Sequence, residues 1–288
     1  MKINLVLGVD ISASHIKVAL VDLETKKIMD DSYVRQPINS WGNADEIINS
    51  WTSIILSAFD KQKIAEKYIR IAMPGPFDYA NGVSLMLGQK KYDSLYGLSV
   101  KQLLAKKLNI PSENIRFLND STCFLNGELS YSDGFRNQTV IALNIGTGLA
   151  SAVYKNGISV DAQLWNSSFL DYTAEDYISS GWFLKEYVKL TGINIINIKG
   201  LRRIYSKSPV ARELFKAFSV NLANFIYEFV LREEPDYIIL GGEVLDAYPC
   251  FKTDLGKNLI KKNINVPLIL SKADPYSSVL GAALSGGN

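Results

Sequence analysis

Histidine and cysteine are almost missing from these 288 residues, which hold one histidine, His15, and two cysteines, Cys123 and Cys250. So few and so widely spaced, they form neither a structural zinc set nor a disulfide framework. Charge of one sign is also lacking. Lys and Arg number 31 against 29 Asp and Glu, a formal net charge of +2, so no basic surface invites nucleic acid or a membrane. No run approaches the roughly 20 apolar residues of a membrane span. The apolar start of MKINLVLGVD is broken at Gly8 and Asp10, too early for a signal-peptide core. Low-complexity tracts and Gly/Ser linkers are absent too. What remains is 47% hydrophobic and 21% charged. That is the balance of a globular, cytoplasmic protein long enough for two domains with their own cores.

Two stretches share one shape. LVLGVDISASHIKVALVD (5–22) and IALNIGTGLASAVYKNG (141–157) each read as an apolar strand, a turn of small residues and a second apolar strand. Overlaid, Asp10 falls on Asn144, Ser12-Ala13-Ser14 on Gly146-Thr147-Gly148, and Lys17 on Ser151. Turns with little or no side chain let backbone N–H groups approach a phosphate. A carboxylate at the first turn, Asp10, suits a magnesium ion or its bound water. One such hairpin in each half predicts two lobes that close on a nucleotide.

Between the hairpins, ADEIINSWTSIILSAFDK (44–61) sets Ile47, Ile48, Trp51, Ile54, Ile55 and Phe59 at helical spacing. YIRIAM (68–73) predicts a buried strand stopped by Pro74-Gly75-Pro76, VKQLLAKKL (100–108) a helix, and NIRFLND (114–120) a strand ending on polar residues. After the second hairpin come helices over 181–192 and 209–234, the latter starting at Ser208-Pro209. DYIILGGEV (236–244) and VPLILSK (266–272) predict strands, and SSVLGAALSG (277–286) a small-residue helix. This order belongs to α/β architecture with a largely parallel sheet.

Asn119 and Asp120 follow a buried strand, where ligands gather in open α/β sheets. They could cap the helix at 121–130, and Asp120 could equally serve as general base for a substrate hydroxyl; the two roles can coexist. The turn at Pro74-Gly75 and the Gly241-Gly242-Glu243 turn each read alone as structural loops.

In order along the chain, Gly8-x-Asp10, MPGPFD, LND followed by GE, IGTG, LGGE and SSVLGAA resemble the ROK sugar kinases (repressor, open reading frame, kinase) over nearly the whole sequence. The resemblance implies the two-lobed, actin-like ATPase (ribonuclease H-like) fold, with one lobe of 1–118 plus 276–288 and another of 119–275. It implies ATP and Mg²⁺, with Asp10, Ser12, Ser14 and Lys17 facing phosphates and metal. Pro74, Gly75, Asn119 and Asp120 would hold the sugar, with Asp120 as base. Gly146, Thr147 and Gly148 would form the second phosphate turn, and Gly241 and Gly242 would approach adenosine. A homodimer is suggested as well.

Two departures stand out. The family's Gly-Gly-Thr turn is here Ser12-Ala13-Ser14, which puts Cβ atoms where bare backbone usually stands. The Glu-x-Gly-His element and its cysteine-rich zinc segment are replaced by Gln163-Leu164-Trp165-Asn166 with no cysteine following, so no zinc is expected. Glu175 then falls on the family's second sugar-binding glutamate, although a glutamate at a helix start is also favoured by the dipole. Gln163 and Asn166 keep hydrogen-bonding capacity, unless the loop no longer reaches a sugar. Trp165, Phe169, Tyr172 and Tyr177 either stack on a sugar or fill the space of the missing zinc lobe. His15 reads as a turn or surface residue.

The function expected is ATP-dependent phosphorylation of a hexose or N-acyl-hexosamine hydroxyl. The rival is a sugar sensor of the same fold with weakened turnover. A ROK repressor would need a DNA-binding module not seen here, and a carboxylate kinase fits Asn119-Asp120 less well.

Overall fold

Both small-residue turns join antiparallel strands, and each hairpin begins a sheet of the same strand order. The computed structural model describes residues 4–285, apart from 30, 61–63, 65, 90, 132, 136, 273 and 274. The chain divides into two compact units, Met1–Asp133 with Pro275–Asn288, and Gly134–Asp274.

The first unit runs β1 (Leu5–Ile11), β2 (His15–Asp22), β3 (Lys27–Ile28), β4 (Val34–Pro37), α1 (Ala44–Phe59) and β5 (Ile69–Met73). It continues through a small hairpin of β6 (Phe77–Asp78) and β7 (Val83–Ser84), then α2 (Val100–Leu108), β8 (Ile115–Asn119) and α3 (Asp120–Leu129). The second unit holds β9 (Val140–Ile145), β10 (Leu149–Lys155), β11 (Ile158–Asp161), β12 (Ser168–Phe169), β13 (Tyr172–Thr173), α4 (Ser180–Thr191), α5 (Ile198–Ile204), α6 (Pro209–Glu233), β14 (Tyr237–Gly241), α7 (Tyr248–Lys261) and β15 (Leu268–Leu270). Helix α8 (Ser277–Leu284) then returns to the first unit. Lys61 and Gly286, the last residues of two expected helices, lie outside the described residues.

The main sheets read β3-β2-β1-β5-β8 and β11-β10-β9-β14-β15. In both, the first three strands are antiparallel and the last two run parallel to the first strand of the hairpin. This duplicated α/β pattern is the actin-like, ribonuclease-H-like fold.

Local chemistry accounts for most boundaries. Asn43 and Glu46 form a reciprocal capping box at α1, each side chain accepting the other's backbone N–H at 3.0 Å. Ser208 caps α6 by accepting from the Ala211 N–H at 3.1 Å, with Pro209 at the first helical position. Among the described residues α6, a helix expected from the sequence, is the one helix long and apolar enough to cross a membrane by length and composition, against the expectation that no run approaches such a span. Half of its most apolar window is buried, with Phe215, Phe218, Leu222, Phe225, Ile226 and Phe229 in the second unit's core.

The unit boundary differs from the one expected. The sequence assigns 119–133 to the second lobe, whereas α3 belongs to the first unit. Helices α3 and α8 cross at backbone contact. A Cβ on Gly127 would stand 1.9 Å from the Ser277 carbonyl oxygen, and one on Gly281 1.7 Å from that of Cys123. The Ser277 hydroxyl donates to buried Glu128, and buried Arg70 donates to the Ala283 carbonyl at the end of α8. These contacts tie α3 to α8, and α8 lies on β1, where Gly8 admits the Val279 carbonyl.

Candidate functional site

Three parallel neighbours, β1, β5 and β8, end together in the first unit. Asp10 is in register with Ala72, and Met73 with Asn119. Asp10, the Pro74-Gly75 turn and Asn119-Asp120 therefore leave one edge of one sheet, the outer two separated by two strand spacings, roughly 10 Å. This is the carboxyl edge at which α/β sheets bind ligands.

Asp10 is 7% exposed and sits opposite Lys17, whose Nζ lies 3.0 Å from its Oδ2. The turn between them is tied up by its own hydroxyls. Ser12 donates through both N (2.9 Å) and Oγ (3.0 Å) to the His15 carbonyl, and the His15 N–H donates back to Ser12 Oγ at 3.1 Å. Ser14 Oγ lies 2.9 Å from His15 Nδ1; His15, expected at a turn or on the surface, is the half-buried first residue of β2. The Tyr92 hydroxyl donates to the Ser12 carbonyl from a fully buried ring stacked edge-on against Trp51. Burial, with Asp10 adding, pushes the Tyr92 hydroxyl's pKa far up, so it stays a donor. Sequence reasoning missed this brace because nothing in the pattern around Tyr92 points 80 residues back.

Asn119 is the N-cap of α3. Its Oδ1 accepts from the Thr122 N–H at 3.1 Å and from the Ser121 hydroxyl, while its Nδ2 donates to Tyr79 Oη at 3.2 Å. Tyr79 in turn donates to the Met73 carbonyl at 3.1 Å, and a Cβ on Gly75 would stand 3.4 Å from the same hydroxyl. Cap, tyrosine and turn thus fix one another. Asp120, half-buried at the first position of α3, accepts the Ser121 N–H at 2.8 Å. Cys123 lies one turn further on; burial raises its thiol pKa well above normal, and the charges of Asp120 and Asp10 raise it further.

The second unit has its own edge. Gly146 N donates to the Gly148 carbonyl at 2.9 Å, closing the turn between β9 and β10. Gly241 is in register with Asn144. Gly242 has φ +88°, and a Cβ there would stand 2.5 Å from both Asn144 Oδ1 and the Ile145 carbonyl, so only glycine fits. The start of α4 joins them. The Ser180 N–H donates to the Gly146 carbonyl at 2.8 Å, and the Ser180 hydroxyl donates to Glu243. Ser180 was not singled out from sequence, and Glu243 only as part of the Gly241-Gly242-Glu243 turn; their pairing across 63 residues leaves no local signature.

Glu175 belongs to this edge. Its Oε2 accepts the Leu149 N–H at 2.9 Å beside Gly148, and its own N–H donates to the Trp165 carbonyl at 3.0 Å. Gln163 and Asn166 are exposed at either end of the short turn after β11, with Gln163 at φ +53°. Of the four aromatics around that turn, Phe169 is buried against Phe225 and Trp165 packs on the same core, while Tyr172 is exposed. Trp165 and Phe169 fill core space.

The model of the ROK family matches residues 6–162, more than half of the chain. A beta-glucoside kinase of Listeria innocua is 22% identical over 206 residues, covering 65% of this chain and 67% of that protein. A glucokinase of Thermotoga maritima is 24% identical over 154 residues, 52% of this chain and less than half, 44%, of the relative. Among solved structures, a ROK family glucokinase from Streptomyces griseus in complex with glucose and AMPPNP matches with a TM-score of 0.77 at 17% identity, over 97% of this chain and 98% of that one. With more than half of its length matched by the family model, and the family's duplicated fold, the chain belongs to the ROK family.

Proposed function

We propose that the protein is a cytoplasmic sugar kinase that transfers the γ-phosphoryl group of ATP to a hydroxyl of a hexose or N-acyl-hexosamine. The observation that carries this reading is the convergence of Asp10 with Lys17, Pro74-Gly75 and Asn119-Asp120 on one carboxyl edge of the first unit's sheet. Asp120 takes the proton of the acceptor hydroxyl as its oxygen attacks phosphorus, a contribution of about 10²–10⁴-fold. Asn119 and the Pro74-Gly75 turn orient the sugar. Lys17 and the Ser12–Ser14 turn hold phosphate oxygens, and in the second unit the Gly146–Gly148 and Gly241-Gly242 turns grip phosphate and adenosine. The names of the relatives, a beta-glucoside kinase and a glucokinase, support the substrate class.

Magnesium fits the residues present. Asp10 offers a nearly buried carboxylate with one oxygen held by Lys17, and Mg²⁺ commonly takes one or two carboxylates together with substrate phosphates and retained waters. When bound it would neutralise charge on the phosphates. We expect activity to need Mg²⁺ and to return on its re-addition after chelation, with the protein folded throughout. We also expect elemental analysis of the purified protein to find no stoichiometric zinc. One tightly bound zinc per chain would overturn the reading of 162–180.

A sensor with weakened turnover is the second reading, favoured by the Ser12 hydroxyl being bound to its own turn. Coupled ADP release over a panel of sugars, beside sugar-induced thermal shifts, separates the two. Shifts without ADP release would establish the sensor.

Gln163 and Asn166 carry a prediction about the sugar. An amide both donates and accepts, where a carboxylate only accepts. Losing one charge-assisted hydrogen bond costs about 1.5–3 kcal/mol, one to two orders of magnitude in binding. Glucose should therefore be a weak substrate, and Gln163→Glu should improve its kcat/KM relative to other sugars. Efficient glucose turnover indifferent to changes at 163 and 166 would show that this turn does not read the sugar.

A further inference from the structure

Glu175 touches backbone that no sugar-binding role requires. Its Oε2 lies 2.9 Å from the Leu149 N–H, and a Cβ at position 148 would come within 2.3 Å of the same oxygen. Gly148 and Glu175 are therefore one fitting: the missing side chain makes the space that the carboxylate occupies. The Glu175 N–H is fixed as well, donating to the Trp165 carbonyl at 3.0 Å. The turn itself is closed by Gly146 N donating to the Gly148 carbonyl at 2.9 Å. Among the described residues, the N–H groups of Thr147 and Gly148 find no protein acceptor. The Gly146 and Leu149 amides at the two ends of the turn are bonded inward, and the two amides between them are left for an anion.

We infer that Glu175 is a positioning residue for the glycine turn of the second unit, and through that turn for a nucleotide phosphate, in place of the sugar contact that the family resemblance implies. The inference rests on reading Gly146–Gly148 as a phosphate grip. Its physical content is simple. A turn of two glycines and a threonine has much backbone freedom to lose. An acceptor locking the Leu149 N–H removes part of that freedom before the phosphate arrives, which is preorganisation. The acceptor need only be an oxygen of the right reach. A glutamine serves that purpose, whereas a residue that reads sugar hydroxyls by its negative charge does not tolerate the change.

The test measures binding of AMPPNP with Mg²⁺ by calorimetry, which needs no turnover, beside steady-state kinetics over sugars. Glu175→Ala should raise the AMPPNP Kd about tenfold, the scale of one hydrogen bond to a charged group. Glu175→Gln should recover most of that loss, and KM for the sugar should stay put in both. Gly148→Ala keeps Glu175 but displaces its carboxylate, so it should reproduce the weaker nucleotide binding; ligand-free melting of each variant checks that it is folded. A raised sugar KM in both Glu175 variants with unchanged AMPPNP affinity would overturn the inference, as would normal AMPPNP binding by either Glu175→Ala or Gly148→Ala. If the unsubstituted protein turns over no sugar, the kinase reading fails alone, because the AMPPNP arm still decides. If it binds no AMPPNP, the phosphate reading of the turn and this inference fall together.

Discussion

Asp120→Asn is expected to lower kcat by at least about 10²-fold while sugar affinity changes far less. The substitution is close to isosteric, and the structure shows why it should be structurally quiet. Asn119 caps α3, accepting the Thr122 N–H, so the helix start does not depend on the residue that is changed. The Ser121 N–H that Asp120 accepts at 2.8 Å finds an equivalent oxygen in an asparagine. An amide still hydrogen-bonds a sugar hydroxyl but has no basic oxygen to take its proton, so the loss falls on the chemical step. Coupled ADP-release kinetics at saturating sugar and ATP give kcat; thermal shift or calorimetry gives sugar binding. Full activity in the variant would remove Asp120 from the mechanism and leave Asn119-Asp120 with the capping role alone. Equal losses in binding and turnover would mean that Asp120 holds the sugar rather than activating it.

How far this edge could be foreseen depends on the kind of contact. The hairpins and the strands 69–73 and 115–119 were legible because apolar runs ended on turn residues, and 209–233 because Ser208-Pro209 announces a helix start. Helix α2 matches its expected span residue for residue. Asp10 and Asn119-Asp120 were found as polar residues closing buried strands. Helices α5 and α7 were not assigned. In α7, Phe251, Leu255 and Leu259 supply the buried stripe, but they are diluted by lysines, and its first residue has no side-chain cap. Contacts between distant residues leave no periodic trace. That is why the docking of Glu175 on Leu149, the Ser180–Glu243 pair and the true boundary between the units had to come from the structure. Gly127 and Gly281 look like ordinary small residues in small-residue helices until the two helices are laid across each other.

That crossing carries the largest stability effect expected in the molecule. In Gly281→Ala the new Cβ would lie 1.7 Å from the Cys123 carbonyl oxygen and 2.7 Å from the Gly127 nitrogen. Both are backbone atoms, so no side-chain rotation relieves the contact, and the two helices must part by at least about 1 Å within a close-packed interior. Overpacking of this kind costs about 1–3 kcal/mol where side chains can adjust; with backbone on both sides we expect about 3 kcal/mol or more. For a unit of this size that is a fall in Tm of roughly 6–12 °C. The same substitution at Gly256, inside α7 with open space around it, should instead stabilise by about 0.4–1 kcal/mol, since alanine loses less conformational entropy in a helix. The contrast separates steric from propensity effects, because the residue change is identical. Moving α3 also moves its first residue, Asp120, so at temperatures where Gly281→Ala is still folded its kcat should fall while that of Gly256→Ala does not. A Gly281→Ala protein as stable and active as the unsubstituted one would mean that α3 and α8 are not held in backbone contact, and would remove the physical reason given for assigning α3 to the first unit.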